Sequence, residues 1–156
     1  MHHSPMATKA LTPAQLEFLA AARTAVLATI DGGRRPRLVP ICFVLDADRP
    51  LLYTPIDDKP KRDDDPLALA RVRDILADPR VTVLVDRWDE DWTRLAWMRG
   101  EGRATVVTPA AGGGEHAASV TALRAKYEQY AAHRLQSRPL IRIELDRVIA
   151  WGRLDG

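Results

Sequence analysis

The stretch YTPIDDKPKRDDDP, residues 53–66, sets three cations, Lys59, Lys61 and Arg62, between two groups of aspartates and directly behind an apolar run. Closely spaced ammonium and guanidinium donors are the groups that hold a phosphate. Asp65 and Pro66 then read as the cap and first residue of a helix, whose unpaired N–H groups add to the same field. The pattern equally describes a solvated loop in which the cations pair with Asp57, Asp58, Asp63, Asp64 and Asp65, exposed pairs that contribute only about 0 to 1 kcal/mol each. Charge pattern alone leaves both readings open.

The remaining reactive side chains form no constellation of their own. His116 and His133 flank a predicted helix with no carboxylate or cysteine at ligand spacing, and Asp89, Glu90 and Asp91 are contiguous rather than spread around a loop. No metal site and no catalytic acid, base or nucleophile is expected. The single cysteine, Cys42, has no internal partner for a disulfide and reads as a core position within VPICFVL.

The elements that position the cationic loop follow from pattern. Thr12, Pro13 and Gln15 make a capping box that opens a short helix, with Leu16, Leu19 and Ala20 toward the core. TAVLATI and RPRLVPICFVLD flank the glycine turn DGGR and predict a hairpin, and LLYTPI is a third strand that delivers the chain to the loop. DPLALARVRDILADP predicts a second helix, with Leu69, Val72, Ile75 and Leu76 as its apolar face. RVTVLVDRW is a β-branched strand, and TRLAWMRGEGRATVV a long one, bent or bulged near Gly100. The glycines of AAGGGEH mark a break before a third helix through SVTALRAKYEQYAAHR, where Val120, Leu123, Tyr127 and Tyr130 recur at helical spacing. PLIRIELDRVIAWGRL alternates as a strand with one solvated face. Six strands and three helices result, in an antiparallel, barrel-like sheet with peripheral helices.

Composition agrees with one domain. A chain of 156 residues, 46% of them hydrophobic, can bury a single core, so residues 11–156 are read as one domain and residues 1–10 as a disordered or tag-derived start. A net charge of +2 carries no electrostatic footprint of a nucleic-acid binder, and no run approaches the roughly 18 apolar residues of a membrane span. A cytoplasmic protein with neither nucleic acid nor membrane as partner is expected.

Four pieces of the chain, AVLATIDGGRRPRLVPICFVLD, LLYTPIDDKPKR, LADPRVTVLVDRWDEDWTRLAWMRGEGRATVV and LRAKYEQY, together resemble the pyridoxamine 5′-phosphate oxidase-like split β-barrel family. The DxKPKR loop and the DRWDEDW turn resemble most its actinobacterial deazaflavin-dependent branch, oxidoreductases that use coenzyme F-420. The resemblance implies a mainly β (α+β) fold, a six-stranded antiparallel split barrel of the kind that binds flavin mononucleotide (FMN). It implies that Lys59, Lys61 and Arg62 hold the cofactor phosphate, that Val39, Pro40 and Ile41 run along the ring, and that Tyr53, Thr54, Pro55 and Ile56 wall it. Trp88 and Trp92 match a turn that reaches the partner's pocket in a homodimer whose cofactor sites lie at the subunit interface. Such a cofactor brings its own redox chemistry, in keeping with the lack of a catalytic triad. Three classes remain open: an F-420-dependent oxidoreductase acting on a small organic substrate, an FMN-binding oxidoreductase, and a non-catalytic carrier or small-barrel nucleic-acid binder.

Overall fold

In the computed structural model, residues 10–46, 48–56 and 69–155 are described. The capping box forms as its residues dictate: the Thr12 side chain accepts from the Gln15 N–H at 3.2 Å, and Gln15 Oε1 accepts from the Thr12 N–H at 3.0 Å. Helix α1 spans Pro13–Ala21 behind it, and Phe18 and Leu19 are buried. Seven strands follow, β1 (Ala25–Ile30), β2 (Pro36–Ile41), β3 (Val44–Asp46), β4 (Leu51–Pro55), β5 (Arg80–Arg87), β6 (Ala96–Val107) and β7 (Leu140–Gly152). Helix α2 (Ala70–Ala77) precedes β5, and α3 (Pro109–Lys126) lies between β6 and β7.

The strands form one antiparallel sheet in the order β2-β1-β5-β6-β7-β4-β3. Strands β2 and β3 are consecutive in the chain, yet they stand at opposite ends of that order. Laid flat, the two ends would be about 29 Å apart at the usual inter-strand spacing. Only Cys42 and Phe43 join them, and three Cα steps reach at most about 11 Å. The sheet therefore curls until its edges meet, giving a split barrel. Alternation fills it: Leu27 and Thr29 of β1, Val81, Val83 and Val85 of β5, and Met98 and Ala104 of β6 are all buried.

Seven strands among the described residues correct the six expected, because the run RPRLVPICFVLD divides at Cys42–Phe43. Phe43 leaves the ladder and is held by side chains instead. Its N–H donates to the Tyr127 hydroxyl at 3.0 Å, and its carbonyl accepts from that hydroxyl at 3.1 Å and from Lys126 Nζ at 2.9 Å. Lys126 also stands 4.1 Å over the Phe43 ring. The hydroxyl reaches the Arg23 carbonyl too, at 3.0 Å, which ties the entrance of β1 to the same point.

Helix α3 corrects a second expectation. A first turn opens at Pro109, ten residues before Ser119, where Thr108 caps the Ala111 N–H at 3.3 Å; the expected break falls at Gly113, whose φ of 50° and ψ of −126° are non-helical, and the helix then runs on to Lys126. The chain from Glu128 continues in short 3-10 turns rather than α-helix. Val120, Leu123, Tyr127 and Tyr130 face a second cluster with Val44, Leu51 and Tyr53, as their spacing requires. The expected irregularity of β6 lies between Glu101 and Gly102, where a Cβ on Gly102 would meet the Glu144 carbonyl oxygen at 1.8 Å. Among the described residues no helix is long and apolar enough to cross a membrane.

Replacing Tyr127 with Phe leaves the buried Phe43 N–H without its acceptor, so Tyr127→Phe is expected to lose about 1 to 3 kcal/mol of stability in urea unfolding. An unchanged midpoint would show that the hydroxyl does not hold the β2–β3 junction.

Candidate functional site

Where the two ends of the sheet meet, a cleft of about 190 Å³ opens, with Pro40 and Ile41 of β2 on one side and Thr54 and Pro55 of β4 on the other. Cys42, Thr24, Arg71 and Tyr130 complete its lining. Register explains the first wall. Ala25 pairs with Ile41 and Val26 with Pro40, so the end of β2 sits beside the start of β1 and Thr24. Among the described residues strand β2 is an edge, and half the backbone groups of such a strand face away from its one paired neighbour. A proline is tolerated there because it has no N–H to lose from the ladder.

Helix α2 is pinned over this end by one buried carboxylate. Asp74 accepts from Thr29 Oγ1 of β1 and from Arg37 Nε of β2, each at 2.8 Å, and is only 6% exposed. Arg37 thus turns to Asp74. Arg71 lies three residues earlier on the same helix face and is thereby carried to the cleft. It is a site residue that sequence reasoning missed. The signal was present in the i, i+3 spacing of Arg71 and Asp74, but only the tertiary partner of Asp74 shows which way that face turns.

Four of the sequence-predicted contacts, Pro40, Ile41, Thr54 and Pro55, therefore line one concavity. Val39 packs partly buried against the core, and Ile56 is 1% exposed within it. Tyr53 takes another direction. Successive residues of a strand face opposite sides, and its hydroxyl donates to Glu115 Oε1 of α3 at 2.8 Å. Trp88 and Trp92 stand on the β5–β6 turn, 64% and 68% exposed, their rings edge to face at 6.4 Å. They do not line the cleft of their own chain. Lys59, Lys61 and Arg62 lie outside the described residues; Pro55, just before that segment, and Arg71, just after it, both line the cleft.

Cys42, expected in the core, is half-buried at the cleft wall. Next to it, burial, reinforced by the Arg23 charge, pushes the Lys126 ammonium down to about 8. An unfolded lysine titrates near 10.4, so between these two values the unfolded chain keeps a proton that the folded chain has released, and stability rises with pH across that window. Wild-type protein is expected to gain stability relative to Lys126→Met from about pH 8 to about pH 10.4. Parallel stability curves for the two proteins would contradict the displaced titration.

The fold is shared with solved structures. The conserved hypothetical protein Rv2991 from Mycobacterium tuberculosis superposes with a TM-score of 0.71 at 18% identity, over 96% of this chain and 89% of that one. HutZ, the heme storage protein from Vibrio cholerae, gives 0.65 at 15% identity over 92% and 95%. A FAD-binding protein from Mesorhizobium loti gives 0.59 at 20% identity over 86% and 87%. At such identities the likeness is one of fold. No curated protein matches the chain. The sequence profile of pyridoxamine 5′-phosphate oxidase matches residues 11–152.

Proposed function

The chain belongs to the pyridoxamine 5′-phosphate oxidase family, and from that premise we propose that it is an oxidoreductase that uses coenzyme F-420 to reduce a small organic substrate. The observation that carries the reading is the convergence of Pro40, Ile41, Thr54, Pro55 and Arg71 on one cleft beside a free strand edge. Apolar walls, unladdered backbone groups and one guanidinium are the donor set that a flat, polar-edged ring with an anionic tail requires. When bound, the cofactor supplies the hydride. The protein's part is to hold, orient and desolvate: the β2 edge addresses the polar rim of the ring, Thr54 and Pro55 close its other side, and Arg71 joins Lys59, Lys61 and Arg62 at the anionic end.

A volume of about 190 Å³ is below the roughly 300 Å³ at which clefts begin to enclose drug-sized ligands, so the site of one chain is incomplete for a tricyclic ring. A second copy completes it in this reading. Leu38, Leu84 and Trp151 are exposed, at 66%, 38% and 53%, and cross-strand register places the first two and Trp97, the partner of Trp151, on the outer side of the sheet. Burying that face in a homodimer brings the Trp88–Trp92 turn toward the partner's cleft.

FMN is the second reading, favoured by a specific feature. Asp57, Asp58, Asp63, Asp64 and Asp65 surround the three cations, which suits a single phosphate better than a long polyanionic tail.

Parallel titration with F-420 and FMN separates the two. The preferred cofactor is expected to bind Lys59→Ala or Lys61→Ala more weakly by about 1.5 to 3 kcal/mol, the range of a charge-assisted hydrogen bond. Equal affinity in both variants would remove the phosphate role, and failure of the wild type to bind either cofactor would remove the reading itself.

A further inference from the structure

A second cleft, also about 190 Å³, lies on the other side of β4, between β3 and α3. Tyr53 faces it, whereas its neighbour Thr54 faces the first cleft, so the two concavities are separated by the strand. We infer that this second cleft binds a small apolar molecule carrying both an ammonium group and a carboxylate, the chemistry of a free apolar α-amino acid.

The floor is apolar. Val44 of β3 turns toward α3, while its neighbour Leu45 borders the cleft with its side chain packed into the main core; Ala118 and Ala122, one helical turn apart on α3, leave with their methyl groups the space that larger side chains would fill. The rim carries two carboxylates, Asp46 and Glu115, and one guanidinium, Arg49; Asp46 is paired with Arg49, and Glu115 and Arg49 each keep capacity to spare. Glu115 accepts from Tyr53 and from Arg142 Nη1, each at 2.8 Å, and both bonds fall on Oε1. Oε2 receives no hydrogen bond among the described residues. Arg49 directs Nε and Nη2 to Asp46 Oδ2 at 3.2 and 3.1 Å, which leaves Nη1 outside that pair.

The ionisation states are settled by the same contacts. The Arg142 hydrogen bond, helped by that of Tyr53, holds the Glu115 carboxyl below the usual range, while burial pushes the Tyr53 hydroxyl up to about 12. At neutral pH Glu115 is therefore an anion, oriented from one side by a phenol that stays protonated. An ammonium group suits its free oxygen, and a carboxylate suits Arg49. A plain anion would meet the Glu115 charge, and a plain amine would leave Arg49 without a partner beyond Asp46. A molecule bearing both groups, with an aliphatic body over Val44 and the two alanines, meets the spare Glu115 oxygen and the spare Arg49 nitrogen together. Its size also limits the ligand to something smaller than a drug-sized molecule.

This inference is independent of the cofactor reading. Its test is an amide NMR titration of the full chain with L-leucine, with leucinamide, which lacks the carboxylate, and with 4-methylpentanoate, which lacks the ammonium. Saturable leucine shifts are expected at Leu45, Ala118 and Ala122, with each truncated ligand weaker by at least about tenfold. Glu115→Gln is expected to weaken leucine about ten- to a hundredfold. Ala122→Leu fills the floor from an exposed helix position two turns from Glu115, and is expected to abolish leucine binding while leaving the fold and cofactor titration as in wild type. Absence of saturable shifts with leucine, equal affinity for the three ligands, or wild-type affinity in both variants would overturn the assignment.

Discussion

A single phenolic hydroxyl holds the place where the two edges of the sheet become one chain. Strands β2 and β3 belong to opposite ends of the sheet, and the residue that leaves the first ladder to enter the second, Phe43, has both backbone groups bound by Tyr127. Without such a partner the Phe43 N–H, which has left strand pairing in the interior, would be an unmet donor, while its carbonyl would keep Lys126. Lys126, stacked on the Phe43 ring and bonded to its carbonyl, reinforces the junction at the expense of a partly desolvated ammonium. Because Arg23 shares the same hydroxyl, the entry to β1 is drawn to this point as well.

The cleft follows from that closure. A fully paired barrel would have no open seam, whereas here the end of β2 approaches the tip of β4 without a shared ladder, and the gap between them is the concavity. Asp74 sets the third wall by accepting from two different strands at once, which fixes α2 and, through helical spacing, Arg71. The alternation of β4 distributes its side chains to two sites. Thr54 serves the seam, and Tyr53 serves the network with Glu115 and Arg142 beneath α3.

Local chemistry made much of this legible before the structure. The Thr12 capping box and the hairpin around DGGR rest on interactions between neighbours in the chain, and the glycines of RGEGR marked the irregularity of β6 although its cause, the close approach of Gly102 to Glu144, lies on another strand. The break at Cys42–Phe43 was not legible, since both residues are apolar and suit a strand, and the reason for it, Tyr127, is 84 residues away. The three glycines read as a break, and Gly113 is one; what they hid is the first turn ahead of it, which the Thr108 cap and Pro109 open. For the candidate site, the family resemblance pointed to β2 and β4, yet the sides their residues face depend on the curl of the sheet. Pro40, Ile41, Thr54 and Pro55 converge while Tyr53 turns away, and Arg71 enters only through the buried partner of its helix.

The seam between β2 and β4 as the cofactor site is tested most directly by mapping backbone amide shifts as F-420 or FMN is added to the isotope-labelled protein. The account predicts that the largest changes gather at Ile41, Cys42, Thr54 and Arg71. Changes confined to β3 and α3, or scattered without a cluster at the seam, would contradict it.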